Sequence, residues 1–135
     1  MASVDGTRTP GSPQIMWADI DFGILATSET ITVGHLPAGA FYTGIQVTGI
    51  TIFNSGTSDK LEIGTGAYGA TAADVDSIED DVDVQATGVI ALTYVIEPLT
   101  IISADYSVPI SVTYTAVGVQ STTGKARVAI TFVQP

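Results

Sequence analysis

Apolar and polar residues alternate with period two along much of this chain. Ile31 and Val33 alternate with Thr30 and Thr32, and Val108, Ile110, Val112 and Tyr114 with Pro109, Ser111, Thr113 and Thr115. Near the end, Ala126, Val128, Ile130 and Phe132 alternate with Lys125, Arg127, Ala129 and Thr131. Successive side chains of a strand point to opposite faces, so each run predicts a strand with one buried side. Ile20, Phe22 and Ile24, set against Asp21 and Gly23, predict another within residues 14–26.

The longest run covers residues 41–53, and its phase breaks. Ile45 and Val47 share one parity, Ile50 and Ile52 the other, with Gly49 between them. A bulge near Thr48-Gly49 that keeps all four inward is the preferred reading, and a central strand covered on both faces is the alternative. A polar segment, Asn54-Ser55-Gly56-Thr57-Ser58-Asp59, reads as a tight exposed turn into Lys60-Leu61-Glu62-Ile63, which makes residues 41–69 a hairpin. Residues 89–96 are apolar on both parities, as in a strand covered on both faces or lying in an interface, and 99–103 allow a short strand. Residues 117–124 suit a hairpin loop, and residues 70–84 hold the only helix candidate. About eight strands separated by short turn signals predict an all-β fold: a single-domain β-sandwich of jelly-roll type with at most one short helix. Residues 1–13 read as a flexible N-terminal arm and 14–135 as the sandwich domain.

Composition adds a partner to this picture. Only 13% of residues are charged while 45% are hydrophobic, so a domain of this size leaves uncharged surface for a partner or another copy. The formal net charge is −10, with Arg8, Lys60, Lys125 and Arg127 the only cations apart from His35. Nucleic-acid binding draws on cations that displace counterions from phosphate, so neither a nucleic acid nor an anionic membrane is an expected partner. The chain has no cysteine and therefore no disulfide or thiolate chemistry. No secretory signal is visible in residues 1–14, and no apolar run is long enough to span a bilayer.

Candidate chemistry is sparse. Gly64-x-Gly66-x-x-Gly69 matches a dinucleotide fingerprint after a strand, but the following segment carries Asp74, Asp76, Glu79, Asp80, Asp81 and Asp83. A pyrophosphate would be repelled there, so the glycines read as a tight corner. The same six carboxylates could bind a divalent cation, although Ile78 stands where an EF-hand loop needs a ligand. An acidic solvated face is the simpler reading. His35 is a solvated turn residue on this reading, and Trp17 a core or subunit-contact anchor. With no nucleophile elbow and no second base, no catalytic, cofactor or metal residue is assigned, and no enzyme activity is expected.

A set of short, turn-rich pieces carries a resemblance to small virion proteins of tailed bacteriophages, of the head-decoration, cement or head-fibre type. The pieces are Leu36-Pro37-Ala38-Gly39, Gly44-Ile45-Gln46-Val47, and Ile52 through Gly64 (IFNSGTSDKLEIG). They continue with Asp83-Val84-Gln85-Ala86-Thr87-Gly88, Val112-Thr113-Tyr114-Thr115 and Gly124-Lys125-Ala126-Arg127-Val128. The resemblance implies a jelly-roll-like sandwich assembled in the host cytoplasm onto the outer surface of a capsid. It implies the major capsid protein as partner, self-association as a homotrimer, and no cofactor. The alternative it leaves is a head-fibre or tail-associated adhesin module that binds host-surface glycan. The acidic run from Asp74 to Asp83 is denser than such proteins lead one to expect.

Overall fold

The computed structural model describes residues 13–21 and 28–134. Eight strands follow one another: β1 (Pro13–Asp21), β2 (Ser28–Leu36), β3 (Phe41–Thr51), β4 (Ser58–Thr65), β5 (Asp74–Asp83), β6 (Gly88–Ile90), β7 (Val108–Val117) and β8 (Lys125–Val133). They form two four-stranded antiparallel sheets, ordered β1-β8-β3-β6 and β2-β7-β4-β5. This is jelly-roll order, in which consecutive strands mostly lie in opposite sheets and the chain winds around the core.

The alternating runs explain the core. Val128, Ile130 and Phe132 of β8 and Val47 of β3 face Leu61, Ile63, Ile110 and Val112 from the other sheet, all buried. Lys60 and Glu62 turn the other way, as their parity requires. Among the described residues there is no helix.

The departures from the linear pattern share one cause: alternation fixes which face a residue takes but not which strand lies beside it. β3 and β4 are not a hairpin, because β4 leaves for the opposite sheet and residues 52–57 form a crossover. Residues 118–124 likewise cross between sheets rather than close a hairpin between β7 and β8. The helix expected over 70–84 is strand β5, whose Ile78, Glu79 and Val82 are buried while Asp80, Asp81 and Asp83 are exposed. β5 pairs with β4 through two irregularities, and Asp81 takes φ 56°. Gly64 makes that pairing possible, since a Cβ there would lie 2.0 Å from the Asp74 carbonyl oxygen. The doubly covered strand expected at 89–96 reduces to three-residue β6, with Val89 and Val95 exposed. Residues 99–103 contribute one isolated bridge, Ile101 to Phe41.

A bulge does occur in β3, one residue past the predicted place. The register against β8 shifts between Gly49 and Thr51, so Ile50 is the extra residue. Its effect is opposite to the expectation, because Ile50 and Ile52 are exposed while Val47, Gly49 and Phe53 stay inward. Gly49 is needed for the close approach of residues 86–87, where a Cβ would stand 2.0 Å from the Ala86 carbonyl oxygen. Of the expected arm, residues 1–12 lie outside the described residues, and Pro13 already pairs with Val133. The part of the first strand expected at 22–26 also lies outside them.

Candidate functional site

Three places gather polar or exposed side chains. The first is a buried pole of the sandwich where the crossovers 52–57, 84–87 and 118–124 meet. Asp59 is wholly buried there, and among the described residues no cation pairs with it. Its carboxylate accepts from the Ser55 amide at 2.9 Å, Gln85 Nε2 at 2.8 Å, Ser121 Oγ at 2.8 Å and the Tyr114 hydroxyl. Burial alone pushes its pKa up, but the Tyr114, Gln85, Ser55 and Ser121 hydrogen bonds outweigh it and hold the group below the ordinary aspartate value. Tyr114 moves the other way, to about 12, because burial and its bond to Asp59 both disfavour phenolate. Asn54 continues the seam, accepting from the Thr122 and Thr123 amides at 2.8 and 3.1 Å. Asp59 therefore does structural work, and the exposed turn expected at 54–59 is partly buried, with Ser55 also inside. The sequence carries no local sign of this site, since its donors come from four separate segments.

The second place is the acidic strand. Carboxylate oxygens of Glu62, Asp80 and Asp81 all lie within 4.8 Å of one another, and Lys60 Nζ stands 3.5 Å from Asp81. Partial burial raises the Glu62 pKa, and the neighbouring Asp80, Asp76 and Asp81 raise it further. Asp76 is raised chiefly by its hydrogen bond with Asp74. The run singled out in the sequence thus reaches its tightest cluster only with Glu62 of the adjacent strand. Buried Glu79 faces elsewhere: it accepts from the Thr93 amide at 3.0 and 3.1 Å, the Thr93 hydroxyl at 2.9 Å and the Tyr94 amide at 2.6 Å. Tyr94 then bonds through its hydroxyl to the Ile45 carbonyl at 2.9 Å. Glu79 in this way ties the connection 91–107 across the edge of the sandwich. That connection exposes Val95, Leu99, Ile101 and Tyr106, and Tyr94 and Leu99 hold φ 55° and 72°.

The third is the outer face of the β1-β8-β3 sheet. Trp17, expected as a core or contact anchor, is 55% exposed, which removes the core reading. The Arg127 guanidinium stacks on its ring at 4.6 Å and forks onto Asp19 at 2.7 and 3.0 Å. Lys125 lies 3.7 Å from the same carboxylate. The Arg127 hydrogen bond, aided by the charges of Arg127 and Lys125, keeps Asp19 below the usual value against the opposing effect of burial. Beside Trp17 a shallow depression of about 190 Å³ is lined by Ile15, Gly44, Ile45, Gln46, Ala129 and Thr131.

The remaining sequence candidates stay apart. Gly64, Gly66 and Gly69 lead into a strand rather than a helix, and Gly69 takes φ 54° against the Tyr106 ring, so no phosphate loop forms. His35 is exposed but lies within β2, paired with Pro109, rather than in a turn.

No protein family model matches the sequence, and no curated protein matches it. Among solved structures, a chain of the "Cyanophage Pam1 capsid asymmetric unit" shares the fold, with a TM-score of 0.75 and 18% sequence identity over 100% of this chain and 94% of that one.

Proposed function

We propose that this domain is a non-enzymatic structural component of a tailed-phage virion that decorates and stabilises the outer surface of the head. The observation that carries the reading is the end-to-end likeness in fold to a chain of a phage capsid unit. Sequence supports it independently through the turn-rich pieces quoted above and the low share of charged residues. The partners on this reading are the major capsid protein and further copies of the chain, arranged as a homotrimer.

The mechanism is stabilisation by binding. A protein that binds the assembled shell and not its separated subunits lowers the free energy of the shell by mass action. Repetition over a lattice lets each contact be modest, because neighbouring contacts act at high effective concentration. The outer surface is favoured over the interior by charge. Packaged DNA would repel a domain of net charge −10 over a Debye length of about 8 Å at physiological salt.

The test uses purified heads that lack the protein. Adding the chain should give saturable binding at fixed lattice positions, visible in particle reconstructions, and raise the temperature at which heads release their DNA. Absence of binding to such heads, or a location at the tail tip with glycan binding, would overturn the reading.

A further inference from the structure

We propose that the outer face of the β1-β8-β3 sheet, centred on Trp17, is where two copies of this chain meet. This deepens the self-association in the proposed function, and rests on it, by naming the surface.

Register places the face residue by residue. Trp17 lies beside Ala129 and then Gln46, and Ile15 beside Thr131 and then Gly44. Ile15 is 61% exposed and Trp17 55%, so the largest aromatic and a branched aliphatic sit side by side on open sheet. The depression next to them is too small for a drug-sized ligand, for which cavities run roughly 300–1,000 Å³, but it can receive a side chain. Exposed Trp that can be packed into a recess is a common anchor of protein interfaces.

Charge identifies the occupant. Outside the core, β4 and β5 carry six carboxylates, Glu62, Asp74, Asp76, Asp80, Asp81 and Asp83, against a single cation of those strands, Lys60. The outer face of β1 and β8 instead carries Asp19 and Asp21 against Lys125 and Arg127, and is formally neutral. Two copies, each at −10, repel wherever their acidic surfaces approach. They can meet on this neutral face without opposing net charge. A partner of different sequence would not be restricted in this way.

Among the described residues, no strand pairs with the outer edge of β1 beside this face. Sheet edges are usually guarded by charge, by shortness or by cover. Of the four edge strands, β5 is acidic, β6 has three residues and β2 carries Glu29, whereas β1 has no charge from Pro13 to Ala18.

The test is sedimentation velocity on the purified full chain over a wide concentration range. The wild type should self-associate, and more tightly in added salt, which screens the net repulsion. Trp17→Glu and Ile15→Glu should each weaken association at least about tenfold, as loss of an interface anchor does. Val119→Glu, at a residue 76% exposed at the Asp59 pole, should not. Circular dichroism and melting confirm that each variant is folded, and Ile15→Glu decides the matter if Trp17→Glu is not. A wild type that stays monomeric, or assembly that survives both substitutions, would overturn the inference. Head binding is measured separately. Monomers that bind heads would remove this face alone, and oligomers that ignore heads would remove attachment alone.

Discussion

The Tyr114 hydroxyl donates to the Asp59 carboxylate across 55 residues of sequence, joining β7 to the start of β4 at the pole where three crossovers meet. Ser121 and Gln85 complete the set from two further segments. A buried carboxylate that lacks a cation is tolerable only when its lone pairs are filled, and here four donors fill them.

Asp59→Asn should therefore destabilise the fold by roughly 2–3 kcal/mol, because an amide leaves donors facing donors in a buried site. Tyr114→Phe should cost less, about 1–2 kcal/mol, since the remaining donors still satisfy Asp59. Urea unfolding curves of the three proteins check this. Equal stability of wild type and Asp59→Asn would show that the network carries no net energy.

The same carboxylate predicts an acid limb. Its pKa is lower folded than unfolded, so the stability it contributes is fully present above the unfolded value. That contribution falls as pH drops from about 4 through the folded pKa. Glu62 has the opposite sign. Its folded pKa is raised, so ionisation destabilises the fold, and stability returns as pH falls through that value. Glu62→Gln should raise the urea midpoint at neutral pH, while Asp59→Asn should flatten the acid limb.

Gly64→Ala and Gly49→Ala each put a methyl about 2.0 Å from a backbone carbonyl oxygen, at Asp74 and Ala86 respectively. Backbone cannot yield as a side-chain tip does, so each substitution should cost about 1–3 kcal/mol or more. Gly88→Ala is the instructive contrast. Its Cβ would meet nothing, and only its φ of 82° opposes the change, so the cost should be near 1 kcal/mol. Thermal melts of the three variants give the order.

Leu99 holds φ 72° with 68% of its surface exposed. Leu99→Gly should relieve that backbone and stabilise the isolated domain by up to about 1 kcal/mol, as little burial is lost. If the strained leucine is kept for contact, the same variant should bind heads more weakly. A stabilised variant with unchanged head binding would assign Leu99 no such role.

What the sequence made legible was parity. The alternations of β8, and of Leu61 and Ile63 against Lys60 and Glu62, assign faces that the structure bears out, whereas in β7 Ser111 and Thr113 of the polar parity are buried along with Ile110 and Val112. Partnership between strands was not legible. Residues 54–59 have the polar, Gly-containing composition of a hairpin turn, and a crossover between sheets uses the same chemistry. Residues 70–84 offer a helix candidate in sequence, and the bulge in β5 explains how Glu79 and Val82, of opposite parity, pair with Ile63 and Leu61 and are both buried. Trp17 was open between core and contact because β1 carries apolar residues on both parities. The Asp59 cluster was invisible for a different reason: a carboxylate beside serines reads as solvated until the distant tyrosine and glutamine are brought to it.

The uneven placement of charge also has a dynamic consequence. Sheets in a sandwich stack about 10 Å apart, and here a neutral outer face lies on one side and the acidic β4–β5 pair on the other. That separation gives the domain a permanent electric dipole across its thickness. A charged lattice would exert a torque on such a molecule before touching it, turning one sheet toward the surface during the approach. Orientation would then be selected in solution, ahead of any side-chain contact, and dilute salt would govern how often a collision begins the right way round.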